Sequence, residues 1–253
     1  MPQLTDPALA RALADEAGQV LLAERARRGF GDPKALKDAG DRVAHELLVA
    51  RLAELRPGDA VLSEEGADDP RRLAAERVWI VDPLDGTREF SEEGRSDWAV
   101  HVALWERGTL IAGAVGLPAQ GRTLGTDAPP ATPAGPRGRA PRLVASRSRA
   151  PELVTKVAAE LGGEIVPMGS AGAKVAAVVL GEADVYVHAG GQYEWDSAAP
   201  VAVALAAGLY AARLDGSALE YNRANPWLPD LCVCAPSMAD AVRAALAAHV
   251  GEA

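Results

Sequence analysis

The chain has 253 residues, 49% hydrophobic and 24% charged, which is typical of a globular protein with a sizeable core. Its formal net charge of −9 argues against nucleic-acid binding, which depends on basic side chains that contact the phosphates. No apolar run reaches the about 18 residues of a membrane span, and residues 1–6 lack the features of a secretory signal, so we expect a cytoplasmic protein.

The first half of the chain is predicted to combine helices with a hairpin-type sheet, from helical spacing, from alternation and from β-branched residues. The predicted elements are helices over 8–28 and about 41–55, short buried strands over 60–63 and 78–81, and a hairpin of strands 98–105 and 110–117. The turn of this hairpin is expected at Arg107-Gly108. The second helix is expected to stop before the pair Pro57-Gly58.

The second half is predicted to alternate strands with helices, after a linker over 128–141 rich in Pro, Gly, Ala and Arg. The predicted elements are a strand from 142 to 145, helices over 151–161, 171–180, 196–207 and 237–249, and strands near 184–187 and 209–213. Cys232 and Cys234 alternate in an apolar stretch, so we expect both side chains on one face of a further strand. Two subdomains, 1–140 and 141–253, are the expected organisation.

An abrupt change from apolar to acidic residues marks the candidate site. Four apolar residues, 78–81, precede Asp82, and the following Pro83 has no N–H, so the strand is predicted to end at Asp82. Asp82 and Asp85 then lie in a tight turn at the carboxyl end of a strand, where open α/β sheets bind ligands. Gly86 tolerates a positive φ, and Thr87 can open a short helix whose N–H groups suit a phosphate.

Acids from other parts of the chain are expected to join this turn. Glu64 follows the strand 60–63, and it converges on Asp82 and Asp85 if the two strands are neighbours. Asp196 begins a helix of small residues. Taken singly, each acid has an ordinary interpretation as a turn residue, a solvated residue or an N-cap. Together, four carboxylates at the ends of elements predict a cage for Mg²⁺, which prefers oxygen ligands.

Two segments resemble signatures of the inositol monophosphatase-like superfamily. The segment 82–87, Asp-Pro-Leu-Asp-Gly-Thr, is similar to the first signature, and 195–199, Trp-Asp-Ser-Ala-Ala, is similar to the second. The pair Glu64-Glu65 stands before the first signature, as in that family. The resemblance covers nearly the whole chain. It implies an α+β or α/β fold, a layered α-β-α-β-α sandwich of the inositol monophosphatase and fructose-1,6-bisphosphatase type.

The resemblance also implies a catalytic role for each residue of the cage. Two or three Mg²⁺ ions would be held by the carboxylates of Glu64, Asp82, Asp85 and Asp196 and by the backbone carbonyl of Leu84. One ion would supply hydroxide from water and a second would stabilise the leaving oxygen. Inhibition by Li⁺ at a magnesium position is a further implication.

Thr87, with an Asp before the second helix, would orient the attacking water, so that Thr87, Asp41 and Glu64 form the predicted catalytic set. Asp41 is the best match for that Asp. The segment 36–41 keeps only the final acid of the family pattern Val-Thr-x-Ala-Asp, so Asp38 is a competitor.

Three features resemble the 3′(2′),5′-bisphosphate nucleotidase branch, the CysQ type. Thr87 is followed by Arg-Glu-Phe, Trp195 is preceded by Glu194, and the segment 146–149 reads Ser-Arg-Ser-Arg. The implied reaction removes the 3′-phosphate of adenosine 3′,5′-bisphosphate to give AMP and phosphate. The sulfated form of that nucleotide is a second candidate substrate.

The substrate contacts expected from the resemblance lie around the cage and in the second half. They are Asp85, Gly86, Thr87, Ser170, Ala171, Lys174, His188, Glu194 and Arg149. An ordinary N-cap remains the alternative for Ser170, a solvated side chain for Lys174 and a structural histidine for His188.

Three rival functions remain open. The Asp-Gly-Thr sequence also occurs in haloacid dehalogenase-like phosphatases, which form an aspartyl-phosphate, but their acids are spaced one residue closer. Inositol monophosphatase and fructose-1,6-bisphosphatase activities belong to the same fold, because function is set by the pocket. A non-catalytic metal- or nucleotide-binding module is the alternative of another class. A homodimer is a further implication of the resemblance, although the sequence offers no interface signature.

Overall fold

Two five-stranded sheets separate three layers of helices in the computed structural model, which describes residues 4–147 and 151–249. The helices are α1 (Asp6–Arg28), α2 (Pro33–Leu55), α3 (Thr87–Phe90), α4 (Glu152–Glu160), α5 (Ala171–Val179), α6 (Glu194–Ala206) and α7 (Ala239–His249). The strands are β1 (Ala60–Ser63), β2 (Arg77–Asp85), β3 (Ala99–Glu106), β4 (Thr109–Leu117), β5 (Arg122–Gly125), β6 (Arg142–Ser146), β7 (Glu164–Met168), β8 (Val185–Tyr193), β9 (Tyr210–Ala212) and β10 (Trp227–Cys234).

The helix layers follow from which faces are apolar. Helices α1 and α2 bury one face of the first sheet, with Leu13, Leu48 and Trp79 in the same cluster. Helices α5 and α6 lie between the two sheets, and α4 and α7 cover the outer face of the second sheet. The predicted α-β-α-β-α sandwich is therefore confirmed. Cys232 and Cys234 lie in one cluster on that outer face, as alternation along a strand predicts.

The first sheet has the order β1-β2-β3-β4-β5, in which β1 is parallel to β2 and the remaining pairs are antiparallel. The predicted hairpin is β3 and β4. Its turn residues Arg107 and Gly108 have φ values of 44° and 94°, as expected for a tight turn that matches the strand twist. Ser63 pairs with Val81, which brings the end of β1 beside β2 and confirms the condition set for convergence of the acids.

The predicted start of the second helix at residue 41 is wrong. Helix α2 begins at Pro33, and Asp32 caps it by accepting a hydrogen bond from the Ala35 N–H at 3.0 Å. Asp41 therefore lies within the helix and not before it. At Gly40 a Cβ atom would be 2.8 Å from the Phe90 ring and 2.9 Å from Leu84, so this glycine lets α2 approach the acidic turn closely.

The second sheet has the order β7-β6-β8-β10-β9, with β6 parallel to both β7 and β8. The sequence did not predict β5 or β7, which are edge strands. Strand β7 is largely exposed and contains Pro167, so it lacks the apolar alternation of a covered strand. The subdomain boundary near residue 140 stays a prediction. No helix in the described ranges is both long enough and apolar enough to cross a membrane.

Candidate active site

The prediction that strand β2 ends at Asp82 is wrong. The strand continues to Asp85 through a bulge. On β3, His101 pairs with Asp82 and Ala99 pairs with Asp85, so β2 has two residues between these pairs and β3 has one. The Leu84 N–H donates to Asp82 Oδ1 at 3.0 Å. A proline without an N–H is tolerated at such a bulge, and the strand can resume after it.

Three aspartates converge at this bulge, two from β2 and one from the start of α6. Asp82, Asp85 and Asp196 each offer a carboxylate oxygen, and these oxygens lie within 4.8 Å of one another. Asp82 is only 1% exposed. Asp196 is held at the start of α6, where the Tyr193 N–H donates to its Oδ2 at 2.6 Å. We call these three residues the aspartate cluster. Its all-oxygen donors fit a hard divalent cation.

Glu64 reaches the same cluster from the end of β1. The residue as a whole is exposed, but its carboxyl end lies against Asp82. Burial of this carboxyl and the charges of Asp196, Asp85 and Glu65 raise its pKa to about 7, although the contact with Asp82 lowers it. The four predicted carboxylate ligands are therefore neighbours.

The acids of the cluster repel one another. Burial, followed by the charges of Glu64, Asp85 and Asp196, raises the pKa of Asp82 well above its ordinary value. Burial and the charge of Asp85 raise the pKa of Asp196 to about 6. A cation placed between these carboxylates would relieve the repulsion and favour their ionised forms.

Asp85 differs from its neighbours because it is surrounded by donors. Burial alone would raise its pKa, but contacts with His101, Ser170 and Gly172 lower it to about 2. The Ser170 hydroxyl donates to Asp85 Oδ2 at 2.5 Å, and the Gly172 N–H donates to the same oxygen at 2.6 Å. Ser170 also caps α5 by accepting from the Ala173 N–H. Ser170 therefore serves as the N-cap and also holds Asp85 in place.

His101 is a site residue that the sequence analysis missed. Its Nδ1 lies 3.0 Å from the Trp195 carbonyl oxygen, and its Nε2 lies 3.3 Å from Asp85 Oδ2. The side chain is fully buried. Burial lowers its pKa, but Asp85, the Trp195 carbonyl and the charge of Asp196 together raise it above the ordinary value. The available signal was one polar residue within the apolar run 100–104, and only the β2–β3 register places it opposite Asp82.

The two candidates for the water-orienting Asp, Asp41 and Asp38, have different surroundings. Burial, and then the charges of Glu65, Glu64 and Asp38, raise the pKa of Asp41 to about 7, so Asp41 is close to the acids. Asp38 is exposed on the same helix and pairs with Lys34 at 2.6 Å. Thr87 is the first residue of α3, directly after Gly86, whose φ is 84°.

A cavity of about 510 Å³ opens beside the aspartate cluster, within the range of small-molecule sites. Its lining includes Asp85, Asp196, Ser170, Ala171, Lys174 and His188. Lys174 is buried, which lowers its pKa, and its Nζ lies 5.3 Å from the centre of the Tyr186 ring. The His188 Nε2–H donates to the Gly191 carbonyl at 2.8 Å. Most predicted substrate contacts thus share one cavity.

Three other predicted substrate contacts, Gly86, Thr87 and Glu194, are outside the described lining of this cavity. Gly86 and Thr87 adjoin Asp85 along the chain but are outside the described lining of this cavity. The buried carboxylate of Glu194 accepts hydrogen bonds from the N–H groups of Asn222 at 2.6 Å and Arg223 at 2.8 Å, so it holds that loop and does not line the cavity. Arg149 lies outside the described residues.

Two curated relatives match most of this chain. A relative from Mycobacterium leprae named 3′-phosphoadenosine 5′-phosphate phosphatase is 52% identical over 250 residues, which is 94% of this chain and 92% of the relative. The Escherichia coli K12 protein named 3′(2′),5′-bisphosphate nucleotidase CysQ is 33% identical over 202 residues, 75% of this chain and 81% of that protein.

A solved structure and a family model extend the comparison. The crystal structure of CysQ from Bacteroides thetaiotaomicron, described as a bacterial member of the inositol monophosphatase family, has a TM-score of 0.73 and 28% identity, and the match covers 90% of this chain and 96% of that chain. The family model described as the inositol monophosphatase family matches residues 5–252. The chain therefore belongs to the inositol monophosphatase family, whose members depend on metal ions.

Proposed function

We propose that this protein is a Mg²⁺-dependent phosphatase that removes the 3′-phosphate of adenosine 3′,5′-bisphosphate, giving AMP and phosphate. The observation that carries the proposal is the convergence of Asp82, Asp85 and Asp196 beside a cavity of about 510 Å³. The names of the curated relatives support this choice of substrate. The sulfated form of the nucleotide is the second substrate that we propose.

The metal ligands are assigned to the carboxylates of the aspartate cluster and Glu64 and to the Leu84 carbonyl. All of these donors are oxygens, which Mg²⁺ prefers. Burial, together with repulsion among the acids, raises the pKa of Asp82, Asp196 and Glu64. Mg²⁺ held by these oxygens would supply positive charge at the phosphate and would lower the pKa of a water molecule. The count of two or three ions is part of the proposal.

The side chains around the ligands position the reactants. We assign Thr87 and Asp41 to the attacking water, because Asp41 is near the acids and its pKa of about 7 lets it accept a proton near neutral pH. The carboxylate of Asp85 is held in one orientation, because His101, Ser170 and Gly172 all contact its Oδ2. Phosphoryl transfer depends mainly on such positioning and on charge stabilisation.

The cavity wall supplies the contacts for the rest of the substrate. Lys174 and His188 line it together with Asp85 and Asp196, so we assign both to the phosphate that is not transferred. Lys174 is the cation of this pair, and the nearby acids Asp85 and Glu89 favour its charged form against the effect of burial.

Replacing Asp41 with Asn is expected to lower kcat about a hundredfold with KM within about twofold, because the amide cannot take the proton of the water. Asp38→Asn is the matched control on the same helix. Asp38 is exposed and paired with Lys34, so its variant should retain wild-type kinetics. Equal losses in both variants, or a loss confined to Asp38→Asn, would show that the assignment of Asp41 is wrong.

A substrate panel tests the proposed function. The purified protein is assayed for phosphate release with adenosine 3′,5′-bisphosphate, inositol 1-phosphate and fructose 1,6-bisphosphate, each with Mg²⁺ and with EDTA. We expect kcat/KM for the nucleotide to exceed the other values by more than about tenfold, which is about 1.4 kcal/mol of discrimination. EDTA should abolish release. A smaller preference contradicts the substrate assignment, and no Mg²⁺-dependent release contradicts catalysis.

A further inference from the structure

Three aromatic side chains form a group beside the cavity, and two of them, Tyr193 and Trp227, line it. The rings of Tyr193 and Trp195 are stacked, with centroids 4.7 Å apart and an interplanar angle of 10°. Trp227 meets Tyr193 edge to face, at 5.4 Å and 82°. Tyr193 is 42% exposed and Trp227 is 44% exposed, although large aromatic side chains gain stability when their apolar surface is buried. Folding therefore leaves aromatic surface uncovered at this place.

The aromatic group is directly connected to the aspartate cluster. The Tyr193 N–H donates to Asp196, and the Trp195 carbonyl contacts His101. Tyr193 and Trp227 line the same cavity as Asp85 and Asp196. A single ligand in this cavity can therefore have a charged group at the acids and a flat apolar group at the aromatic wall.

The position of Trp227 is set by a glycine bulge in β8, where Gly190 and Gly191 interrupt the pairing with β10. At Gly191, where φ is 84°, a Cβ atom would lie only 1.6 Å from the indole Cζ2, so the indole rests directly on this backbone. The carbonyl of Gly191 also accepts the hydrogen bond from His188. One bulge thus fixes both the indole and the histidine that we assigned to the second phosphate.

We propose that the Trp227 indole, flanked by Tyr193, is the stacking surface for the nucleobase of a nucleoside 3′,5′-bisphosphate. The inference rests on the proposed function and adds to it the part that recognises the base. Every base has a π face, so stacking on an aromatic side chain favours nucleotides over sugar phosphates. Inositol and fructose phosphates have no such face, so Trp227 gives them no stacking energy.

The test compares two ligands that differ only in the base. AMP and ribose 5-phosphate carry the same 5′-phosphate and ribose, and neither has the 3′-phosphate that the proposed reaction removes. Calorimetric titration in Mg²⁺ gives both dissociation constants. Trp227→Ala is expected to weaken AMP about tenfold and to change ribose 5-phosphate by less than about twofold.

Two further variants control for structural damage. Trp227→Phe keeps an aromatic face and should bind AMP within about threefold of wild type. Trp105→Phe changes a tryptophan at the end of β3, outside the described lining of the cavity, and should leave both ligands unaffected. Equal weakening of both ligands by Trp227→Ala would place the effect in the glycine bulge and overturn the proposal. Unchanged AMP binding in that variant, or no AMP binding by the wild type, would also overturn it.

Turnover of adenosine 3′,5′-bisphosphate by the wild type is measured in parallel. If the wild type hydrolyses the nucleotide and Trp227→Ala has an unchanged KM, the assignment of Trp227 as the stacking surface is wrong. The proposed function then still stands. If the wild type does not hydrolyse it, the proposed function fails whatever the binding of AMP shows. With both correct, Trp227→Ala should raise KM about tenfold with kcat within about twofold.

Discussion

Replacing Asp82 with Asn is expected to lower kcat about a thousandfold or more while the protein remains folded. The reason is that Asn keeps the volume of the buried side chain but removes a charge from the aspartate cluster. The Leu84 N–H keeps an acceptor, because the amide oxygen can replace Asp82 Oδ1. Phosphate release is measured at saturating Mg²⁺, and circular dichroism checks the fold.

The same substitution should make the metal-free protein more stable than the wild type, by an amount that increases as pH rises above about 4. In the folded protein the pKa of Asp82 is raised well above its ordinary value by burial and by the neighbouring acids. The contribution of such a group to the stability of the folded protein is fully present below its ordinary pKa of about 4. That contribution is lost as pH rises through the pKa of the group in the folded protein. Asn has no proton to lose, so the advantage of the variant should grow with pH.

Thermal unfolding of both proteins in EDTA, from pH 5 to pH 8, measures this difference. Added Mg²⁺ should reverse it, because the wild type gains stability from binding the ions. Asp240→Asn, at an exposed position on α7, is the control and should keep wild-type activity and stability. Near-normal turnover by Asp82→Asn would contradict the role of the cluster.

Replacing Gly172 with Ala is expected to lower kcat about a hundredfold and the melting temperature by about 5 °C. A Cβ atom at this position would lie 2.0 Å from His101 Nε2, so the imidazole or the start of α5 has to move. Both positions matter for Asp85, because the Gly172 N–H and His101 contact the same carboxylate oxygen. The substitution therefore disturbs a metal ligand without removing it.

Kinetic assays and differential scanning calorimetry measure these two effects. Gly31→Ala is the matched control, because nothing lies within 4 Å of a Cβ atom added there. That variant should match the wild type in kcat and in melting temperature. A fully active Gly172→Ala protein would mean that the position of Asp85 tolerates movement of His101 and α5, contrary to the positioning role proposed here.

Much of the fold could be predicted because local signals agreed with the tertiary arrangement. The hairpin of β3 and β4 has alternating residues and a turn at Arg107-Gly108, and both signals are local. The predicted start of α2 at residue 41 was wrong, although Asp32 and Pro33 are ordinary N-cap and N1 residues of a helix. Edge strand β7 was missed because an exposed strand needs no apolar alternation.

The candidate site was predictable only in part, for a related reason. Asp82 and Asp85 stand out in the sequence because they come directly after an apolar segment. Asp196 stands out because it comes directly before a segment of small residues. His101 does not stand out, since its role depends on the register between β2 and β3, and register is a tertiary property. Likewise, the aromatic wall of Tyr193 and Trp227 joins residues 34 positions apart, and nothing in the local sequence pairs them.

The most direct test of the account is to locate the metal ions. Crystals grown with Mn²⁺, which shares the oxygen ligands of Mg²⁺, would be measured for anomalous scattering. We expect anomalous peaks within about 2.3 Å of carboxylate oxygens of Asp82, Asp85 and Asp196, and loss of those peaks in Asp82→Asn. An enzyme that is active in Mn²⁺ but shows its ions elsewhere, with none in the aspartate cluster, would contradict the account.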